Sequence, residues 1–63
     1  METITYPKRI IVKFTLADDK RSARSISLLF DRRYCIFENI EKSKQYALSR
    51  YRVYSIGSVI LKY

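Results

Sequence analysis

The segment from Arg9 to Leu16 constrains the fold most strongly, because its side chains alternate in character along the chain. Its apolar positions are Ile10, Val12, Phe14 and Leu16. The positions between them are mostly polar, and a period of two in residues that favour β-structure predicts a strand with one buried face. Ile4 and Tyr6 share the apolar parity, so an earlier start of this strand is expected, with Pro7 restricting it to a sheet edge or a bend.

A second alternating segment follows the polar residues 17–23, which are expected to form a turn. Within residues 24–30 the apolar positions on one side are Ile26, Leu28 and Phe30. Two alternating segments joined by a short polar loop predict an antiparallel hairpin. Residues 31–33 are expected to turn the chain again, which leaves residues 34–37 as a short strand or as a continuation of the second strand.

The period changes between Asn39 and Tyr51, where apolar residues follow helical spacing. The predicted core stripe consists of Phe37, Ile40, Lys44, Ala47, Leu48 and Tyr51, with the aliphatic part of Lys44 included. Asn39 is a suitable N-cap, and Glu41 suits the positive first turn of a helix. Arg50 and Arg52 suit the negative last turn.

The C-terminal residues 52–56 and 59–63 are rich in β-branched and aromatic side chains, and Gly57-Ser58 interrupts them. A two-residue turn at Ile56-Gly57 would require positive φ at a β-branched residue, so a bulge or bend within one long strand is expected. The sequence therefore predicts a small single α+β domain over residues 1–63. In it, an antiparallel sheet of three to four strands packs against one helix in the order ββαβ.

An alternative interpretation starts a helix at Asp18 and continues it to Phe30, so that one strand is followed by two helices. That order resembles the ribbon-helix-helix DNA-binding family, whose paired N-terminal strands enter the major groove. The resemblance implies a dimeric DNA-binding regulator in which Arg9, Lys13 and Thr15 contact the DNA. It covers about the first half of the chain, and the strongly β-forming C-terminus has no place in that fold.

The charge balance indicates the class of function. Lys and Arg outnumber Asp and Glu by 13 to 6 in 63 residues, the formal net charge is +7, and histidine is absent. Such a positive field attracts polyanions, whereas acid–base catalysis and metal ligation near neutral pH most often use histidine. One cysteine and one glycine supply neither a zinc set nor a phosphate-binding glycine loop. These features favour a non-enzymatic binding protein with no catalytic residues, metal or cofactor.

Cys35 is the only cysteine, which excludes an intrachain disulfide and suits a reducing compartment. It lies in the apolar residues 34–37 and is expected to be a small buried side chain. The longest apolar runs have about four residues, far fewer than the roughly 20 that span a bilayer. The N-terminal residues lack the pattern of a signal peptide. A cytoplasmic protein without a membrane partner is therefore expected.

Seven basic residues are the candidate contacts to nucleic acid, because they lie in predicted loops, beside them or near the helix end. They are Lys20, Arg21, Arg24, Arg32, Arg33, Arg50 and Arg52. Guanidinium groups hold phosphates with paired hydrogen bonds, and tyrosine rings can stack on unpaired bases. Tyr34 and Tyr54 lie near these arginines and are the candidate stacking residues. The pattern favours DNA or RNA binding through the backbone, with limited sequence selectivity.

Tyrosine with arginine is equally typical of protein–protein hot spots, so Tyr34 and Tyr54 are also candidates for contacts to an acidic protein surface. Very small, tyrosine-rich chains of ββαβ order resemble the accessory proteins with which phages disable host enzymes, such as a small phage inhibitor of bacterial RNA polymerase. This resemblance is one of size and architecture, and it implies binding to a host protein. An exposed sheet edge would also allow self-pairing into a homodimer.

Overall fold

The computed structural model describes residues 5–63, which form one three-stranded antiparallel sheet and one helix. The elements are β1 (Arg9–Leu16), β2 (Asp19–Leu29), α1 (Ile36–Arg50) and β3 (Val53–Lys62). This confirms the predicted small α+β fold and its ββαβ order. The ribbon-helix-helix alternative is wrong, because residues 19–29 form a strand in place of a first helix. The serines in this segment form helices poorly, and its alternating apolar residues suit a half-buried strand.

β1 has the predicted bounds and forms the centre of the sheet, in the order β2-β1-β3. Its apolar side chains Ile10, Val12 and Phe14 are buried with Ala47 of the helix in the core. Around this core pack the half-buried residues Leu16, Ile26, Phe30, Val53, Ile56, Val59 and Leu61. The strand does not begin early, since Tyr6 and Pro7 precede it as irregular chain, and Ile4 lies outside the described residues.

β2 is longer than predicted, because the turn before it contains only residues 17 and 18. A two-residue hairpin turn usually needs positive φ, and no described non-glycine residue has one. Here a register shift takes the place of a turn with positive φ. Leu16 is in register with Asp19, whereas Thr15 is in register with Ala23. Residues 20–22 therefore form an irregular, bulged part of the strand, and the predicted polar turn is mostly strand.

β3 continues without interruption through the predicted irregularity. Its register with β1 shifts between Val12 and Phe14, so that Gly57 and Ser58 both lie opposite Lys13. The predicted bulge within one long strand is confirmed. The Cβ that Gly57 lacks would lie 3.4 Å from the carbonyl oxygen of Lys13, at the close end of ordinary contact.

α1 begins three residues earlier than predicted, because Cys35 caps it. The Sγ of Cys35 accepts a hydrogen bond from the backbone N–H of Glu38 at 3.4 Å. The prediction of a strand at residues 34–37 is wrong, since the helix already includes Ile36 and Phe37. Cys35 is exposed, not buried as predicted, because a residue that caps a helix lies at the helix end. Glu38 replaces Glu41 as the acidic residue of the first turn.

The predicted N-cap, Asn39, is instead a buried anchor inside the first turns of α1. Its side-chain nitrogen donates to the backbone carbonyls of Asp31 at 2.8 Å, Tyr34 at 3.1 Å and Cys35 at 2.9 Å. Its Oδ1 accepts from the backbone N–H of Asp31 at 2.8 Å. Buried polar groups are retained where such partners exist, so Asn39 fixes the connection between β2 and α1.

The buried stripe of α1 differs from the predicted one. It consists of Asn39, Ser43 and Ala47. Phe37 and Leu48, predicted in the core, are 70% and 47% exposed, while Ile40 and Lys44 are half-buried. The small side chains at 43 and 47 allow α1 to lie close to β1 and β3, against which it packs.

Candidate nucleic-acid interface

The sheet has two ends that carry different parts of the chain. At the hairpin end, the β1–β2 turn meets the end of α1, since the N–H of Ala17 donates to the carbonyl of Arg52 at 2.8 Å. At the helix-start end, the N–H of Phe30 donates to the carbonyl of Lys8 at 3.1 Å. β1 has eight residues and so separates the two ends by about 23 Å.

The hairpin end gathers five of the seven predicted nucleic-acid contacts, which we call the hairpin-end patch. They are Lys20, Arg21, Arg24, Arg50 and Arg52, and all five are exposed. The first three belong to β2, whereas the last two flank the end of α1, with Arg52 lying beyond the helix. The fold therefore brings the β2 cations to the same end of the sheet as the cations at the end of α1, although the two groups are at least 26 residues apart in sequence.

Arg24 lies on the same side of the sheet as the end of α1. It is in register with Phe14, which places it on the helix side of the sheet. The ring of Phe14 packs against the ring of Tyr51, with centroids 5.2 Å apart. Tyr51, which caps the end of α1, thus packs on the core, as predicted, while 45% of it stays exposed.

Two tyrosine rings lie against cations of the patch. The Lys20 ammonium lies 4.5 Å from the ring centroid of Tyr54, and the Arg50 guanidinium lies 5.1 Å from that of Tyr46. Exposed cation–π contacts contribute about 0.5–1 kcal/mol, enough to orient a long side chain without neutralising its charge. The predicted stacking residue Tyr54 is 58% exposed and lies within the patch.

The cations of the hairpin-end patch are not paired with any carboxylate in the described part of the chain. Within residues 5–63 the ion pairs are Arg33–Asp31 at 2.9 Å and Lys44–Glu41 at 3.7 Å, and neither includes a patch residue. Asp19, which precedes Lys20 of the patch, instead accepts a hydrogen bond from the backbone N–H of Ser22 at 3.3 Å. The patch therefore keeps its positive charge available for an external anion.

The other two predicted contacts, Arg32 and Arg33, lie at the helix-start end. The guanidinium of Arg33 donates twice to the Asp31 carboxylate, from Nε at 3.1 Å and from Nη2 at 2.9 Å. Arg32 lies 5.4 Å from the ring centroid of Tyr6. The charge of Arg33 is thus compensated locally, although its side chain is 83% exposed.

Tyr34, the second predicted stacking residue, also lies at the helix-start end. The Lys42 ammonium lies 3.2 Å from its ring centroid, and the Arg33 guanidinium lies 5.9 Å from it. A base that stacks on the ring face under Lys42 must first displace that ammonium. Tyr34 is therefore less available for stacking than the sequence pattern suggests.

Hydrogen bonds from Arg33 also perturb the titration of Asp31. Its carboxylate accepts from the side chain and from the backbone N–H of Arg33, and these bonds lower the pKa of Asp31 from 3.8 to about 2. Asp31 is consequently ionised at any physiological pH. The Asp31 carboxylate therefore stays charged beside Arg33 in the turn before α1.

A shallow groove lies beside β2, because α1 packs against β1 and β3 and leaves the helix side of β2 partly uncovered. Its volume is about 190 Å³. It is lined by Leu28, Leu29, Asp31, Asn39, Lys42, Ser43 and Tyr46. Leu29, one of its lining residues, is 74% exposed.

Three further cations lie on the strands, on the side of the sheet that faces away from α1, and they are not among the seven predicted contacts. They are Arg9, Lys13 and Lys62. The alternation of β1 already contains the signal for the first two, since residues 9 and 13 have the parity opposite to the buried Ile10. Their register with β2 and β3, which the sequence alone does not supply, places them on one face.

Comparison with known proteins gives no functional information: no family model, curated protein or solved structure matches the chain. Within residues 5–63, no helix is long and apolar enough to cross a membrane. The function must therefore be argued from the chemistry of these surfaces, because a fold alone does not define a function.

Proposed function

We propose that this protein is a non-enzymatic nucleic-acid-binding protein that contacts the phosphate backbone through the hairpin-end patch, with limited sequence selectivity. One observation carries the proposal: five exposed cations from β2 and from the end of α1 converge at one end of the sheet, and no carboxylate of residues 5–63 is paired with them. Phosphate is the anion that nucleic acids present in a continuous row.

The chemistry of the patch suits phosphates better than single carboxylates. Four of its members are arginines, and a planar guanidinium donates paired hydrogen bonds to phosphate oxygens. Contacts of this kind fix the position of a nucleic acid without reading its sequence. Tyr54 adds an aromatic ring at the same place, and Arg32, Arg33 and Tyr34 supply weaker contacts at the helix-start end.

Fluorescence anisotropy tests the proposal with labelled 20-nucleotide DNA and RNA at about 50 mM salt. The variant Arg21→Ala/Arg52→Ala removes two cations of the patch without touching the core. It is expected to bind at least about tenfold more weakly than wild type, because two charge-assisted contacts are lost. Affinity is expected to differ less than about threefold between oligonucleotides of unrelated sequence.

The matched control is Lys42→Gln/Lys44→Gln, which removes the same charge from the helix surface. Lys44 is paired with Glu41 and Lys42 lies against Tyr34, so this variant is expected to lose less than about threefold. If both variants lose affinity equally, net charge alone explains the binding and the hairpin-end patch is not its site. Absence of wild-type binding at 50 mM salt would overturn the proposal.

A protein partner is the second candidate, and the groove beside β2 is the observation that favours it. Leu28 and Leu29 give this groove an apolar lining that a partner chain would cover. Binding of this kind depends weakly on salt and strongly on apolar side chains. Leu28 lines the groove from the helix side of the sheet, so loss of partner binding in Leu28→Ser, with nucleic-acid binding unchanged, would support this second function.

A further inference from the structure

The side of the sheet opposite α1, which we call the open face, has a one-sided charge distribution. Among the described residues it carries three cations and no acidic side chain; the cations are Arg9, Lys13 and Lys62. Two contacts confirm which residues share this face. Arg9 Nη1 donates to the Ser27 hydroxyl at 3.2 Å, and the hydroxyls of Thr15 and Ser55 lie 3.0 Å apart.

Small residues flank the central strand on the open face. Those contributed by the neighbouring strands are Ala23, Ser25, Ser27, Ser55, Gly57 and Ser58. Ser25 is in register with Lys13 on one side, and Gly57 lies beside it on the other. Neighbours of this size do not cover a lysine, so an external chain laid along β1 can reach its cations.

An apolar centre separates the cations of the open face. Ile11 is in register with Ile60, and both side chains are half-buried. Arg9 is in register with Lys62 on one side of this pair, and Lys13 lies on the other side, four residues or about 13 Å along β1 from Arg9. The face thus alternates charge, apolar surface and charge along a single line.

The line of cations continues into the hairpin-end patch. β1 spans about 23 Å from Arg9 to Leu16, and after the two-residue turn the bulged start of β2 carries Lys20 and Arg21. At about 3.4 Å per nucleotide in a stacked strand, this length corresponds to about seven nucleotides. The dimensions are within the range of four to sixteen nucleotides that single-strand-binding folds of similar size cover.

We propose that the open face binds one strand of unpaired nucleic acid, which runs from the hairpin-end patch along β1 to Arg9 and Lys62; this inference rests on the proposed function. Arg9 and Lys13 lie along one strand with Lys62 beside Arg9, and this narrow band matches one phosphate chain, whereas a duplex presents two. The Ile11–Ile60 pair offers apolar contact to base faces, and only unpaired bases expose these. A second copy of the protein is disfavoured as the occupant, because pairing two open faces would place the three cations of one copy against the same three cations of the other.

The length of the bound strand tests the path. Labelled oligothymidylates of 4, 8 and 12 nucleotides, and a 12-base-pair duplex, are titrated into the wild-type protein at about 50 mM salt. Affinity is expected to rise at least about tenfold from 4 to 8 nucleotides and then to level off. The single strand of 12 is expected to bind at least about threefold more tightly than the duplex, and equal or tighter duplex binding would contradict the inference.

Two variants locate the strand on the open face. Lys13→Thr/Lys62→Thr removes two of its cations while keeping β-forming residues, and it spares the bond from Arg9 to Ser27. Binding of the 8-mer is expected to weaken at least about fivefold. Ser25→Glu places a carboxylate opposite Lys13 without removing any cation, and a similar loss is expected. Its control, Gln45→Glu, makes the same charge change on the exposed surface of α1 and is expected to lose less than about twofold.

The outcomes separate this inference from the proposed function. If Arg21→Ala/Arg52→Ala weakens binding while Ser25→Glu and Lys13→Thr/Lys62→Thr match the wild type, nucleic acid binds at the hairpin end and the open face is not its path. If the wild type binds no oligonucleotide, both fail. Circular dichroism and urea unfolding verify that each variant is folded, so that a loss of binding reports the surface and not stability.

Discussion

The two ends of the sheet have similar composition but hold their charges in different ways. At the helix-start end, Arg33 is paired with Asp31, Lys42 lies on the ring of Tyr34, and Asn39 ties the connecting backbone together. At the hairpin end, five cations surround a bulged turn, and no described carboxylate is paired with them. Arg33 and Lys42 are therefore engaged in local contacts at one end, whereas the cations of the hairpin-end patch remain available to an external anion.

The comparison shows why charge alone does not locate a site. A cation whose hydrogen-bond donors already face a carboxylate must break that contact before it binds a phosphate, whereas an unpaired cation exchanges only water. The cations of the hairpin end repel one another, and a bound polyanion would remove this repulsion by neutralising their charge. The most informative experiments change one end and leave the other intact.

The largest expected effect is on the anchor of the helix-start end. Asn39→Ala removes four side-chain hydrogen bonds and leaves the N–H of Asp31 without its buried partner. The free energy of unfolding, measured by urea denaturation, is expected to fall by about 2–4 kcal/mol. Gln45→Ala, an exposed position of the same helix, is the control and is expected to change it by less than about 0.5 kcal/mol. An Asn39→Ala variant as stable as this control would remove the structural role assigned to this end.

Next in size is the difference in nucleic-acid affinity between the two ends. Arg32→Ala/Arg33→Ala removes the same formal charge as Arg21→Ala/Arg52→Ala, but one of its cations is compensated by Asp31. We expect it to weaken binding of a 20-nucleotide strand by about threefold, uniformly across sequences, against at least about tenfold for the hairpin-end pair. Anisotropy titrations of both variants in one buffer give the ratio directly. A larger loss at the helix-start end would reverse the comparison.

Acid titration examines the ion pair of the helix-start end. Because the folded pKa of Asp31 is lowered from 3.8 to about 2, its contribution to stability is fully present above pH 3.8 and disappears as the pH falls through about 2. Asp31→Asn lacks this contribution at every pH, so its urea midpoint is expected to lie below that of wild type at pH 6 and to approach it near pH 2. Parallel midpoints across this range would show that the pair does not stabilise the fold.

The smallest effect is expected at Gly57, midway between the ends. Gly57 has no positive φ, and an added methyl would lie at ordinary contact distance from Lys13. Gly57→Ala is therefore expected to change the free energy of unfolding by less than about 0.5 kcal/mol, since reduced freedom of the unfolded chain offsets the close contact. Thermal unfolding measures the difference, and a loss above about 1 kcal/mol would indicate that the bulge needs glycine.

Much of the fold follows from the sequence, because the alternation in β1 and the bulge in β3 are local patterns. The errors arise where distant contacts decide. The sequence predicts that Cys35 is buried and that Asn39 caps the helix, but Cys35 is the cap and Asn39 is buried. Asn39 can be buried because the backbone of residues 31–35 supplies hydrogen-bond partners for its amide. The early start of β2 depends on a register shift against Thr15 and Leu16 that no local pattern reveals.

The candidate site shows the same limit. Each cation of the hairpin-end patch is recognisable from its position beside a turn or a helix end. Their convergence depends on the order β2-β1-β3 and on the direction of α1. The compensation of Arg33 likewise depends on the turn geometry that brings its guanidinium to Asp31. Sequence reasoning therefore finds the members of a charged surface but not which of them share it.

The central claim is tested most directly by the salt dependence of single-strand binding. Anisotropy titrations of a labelled 20-nucleotide strand at about 50, 100 and 200 mM salt yield the slope of log affinity against log salt concentration. The five cations of the hairpin-end patch predict a slope of about −3.5, which is a loss of about a hundredfold over this range, and contacts to the three cations of the open face make the slope steeper. In Arg21→Ala/Arg52→Ala the slope is expected to become shallower by about 1.4. Binding that does not change with salt, or a slope equal in wild type and variant, would contradict the account.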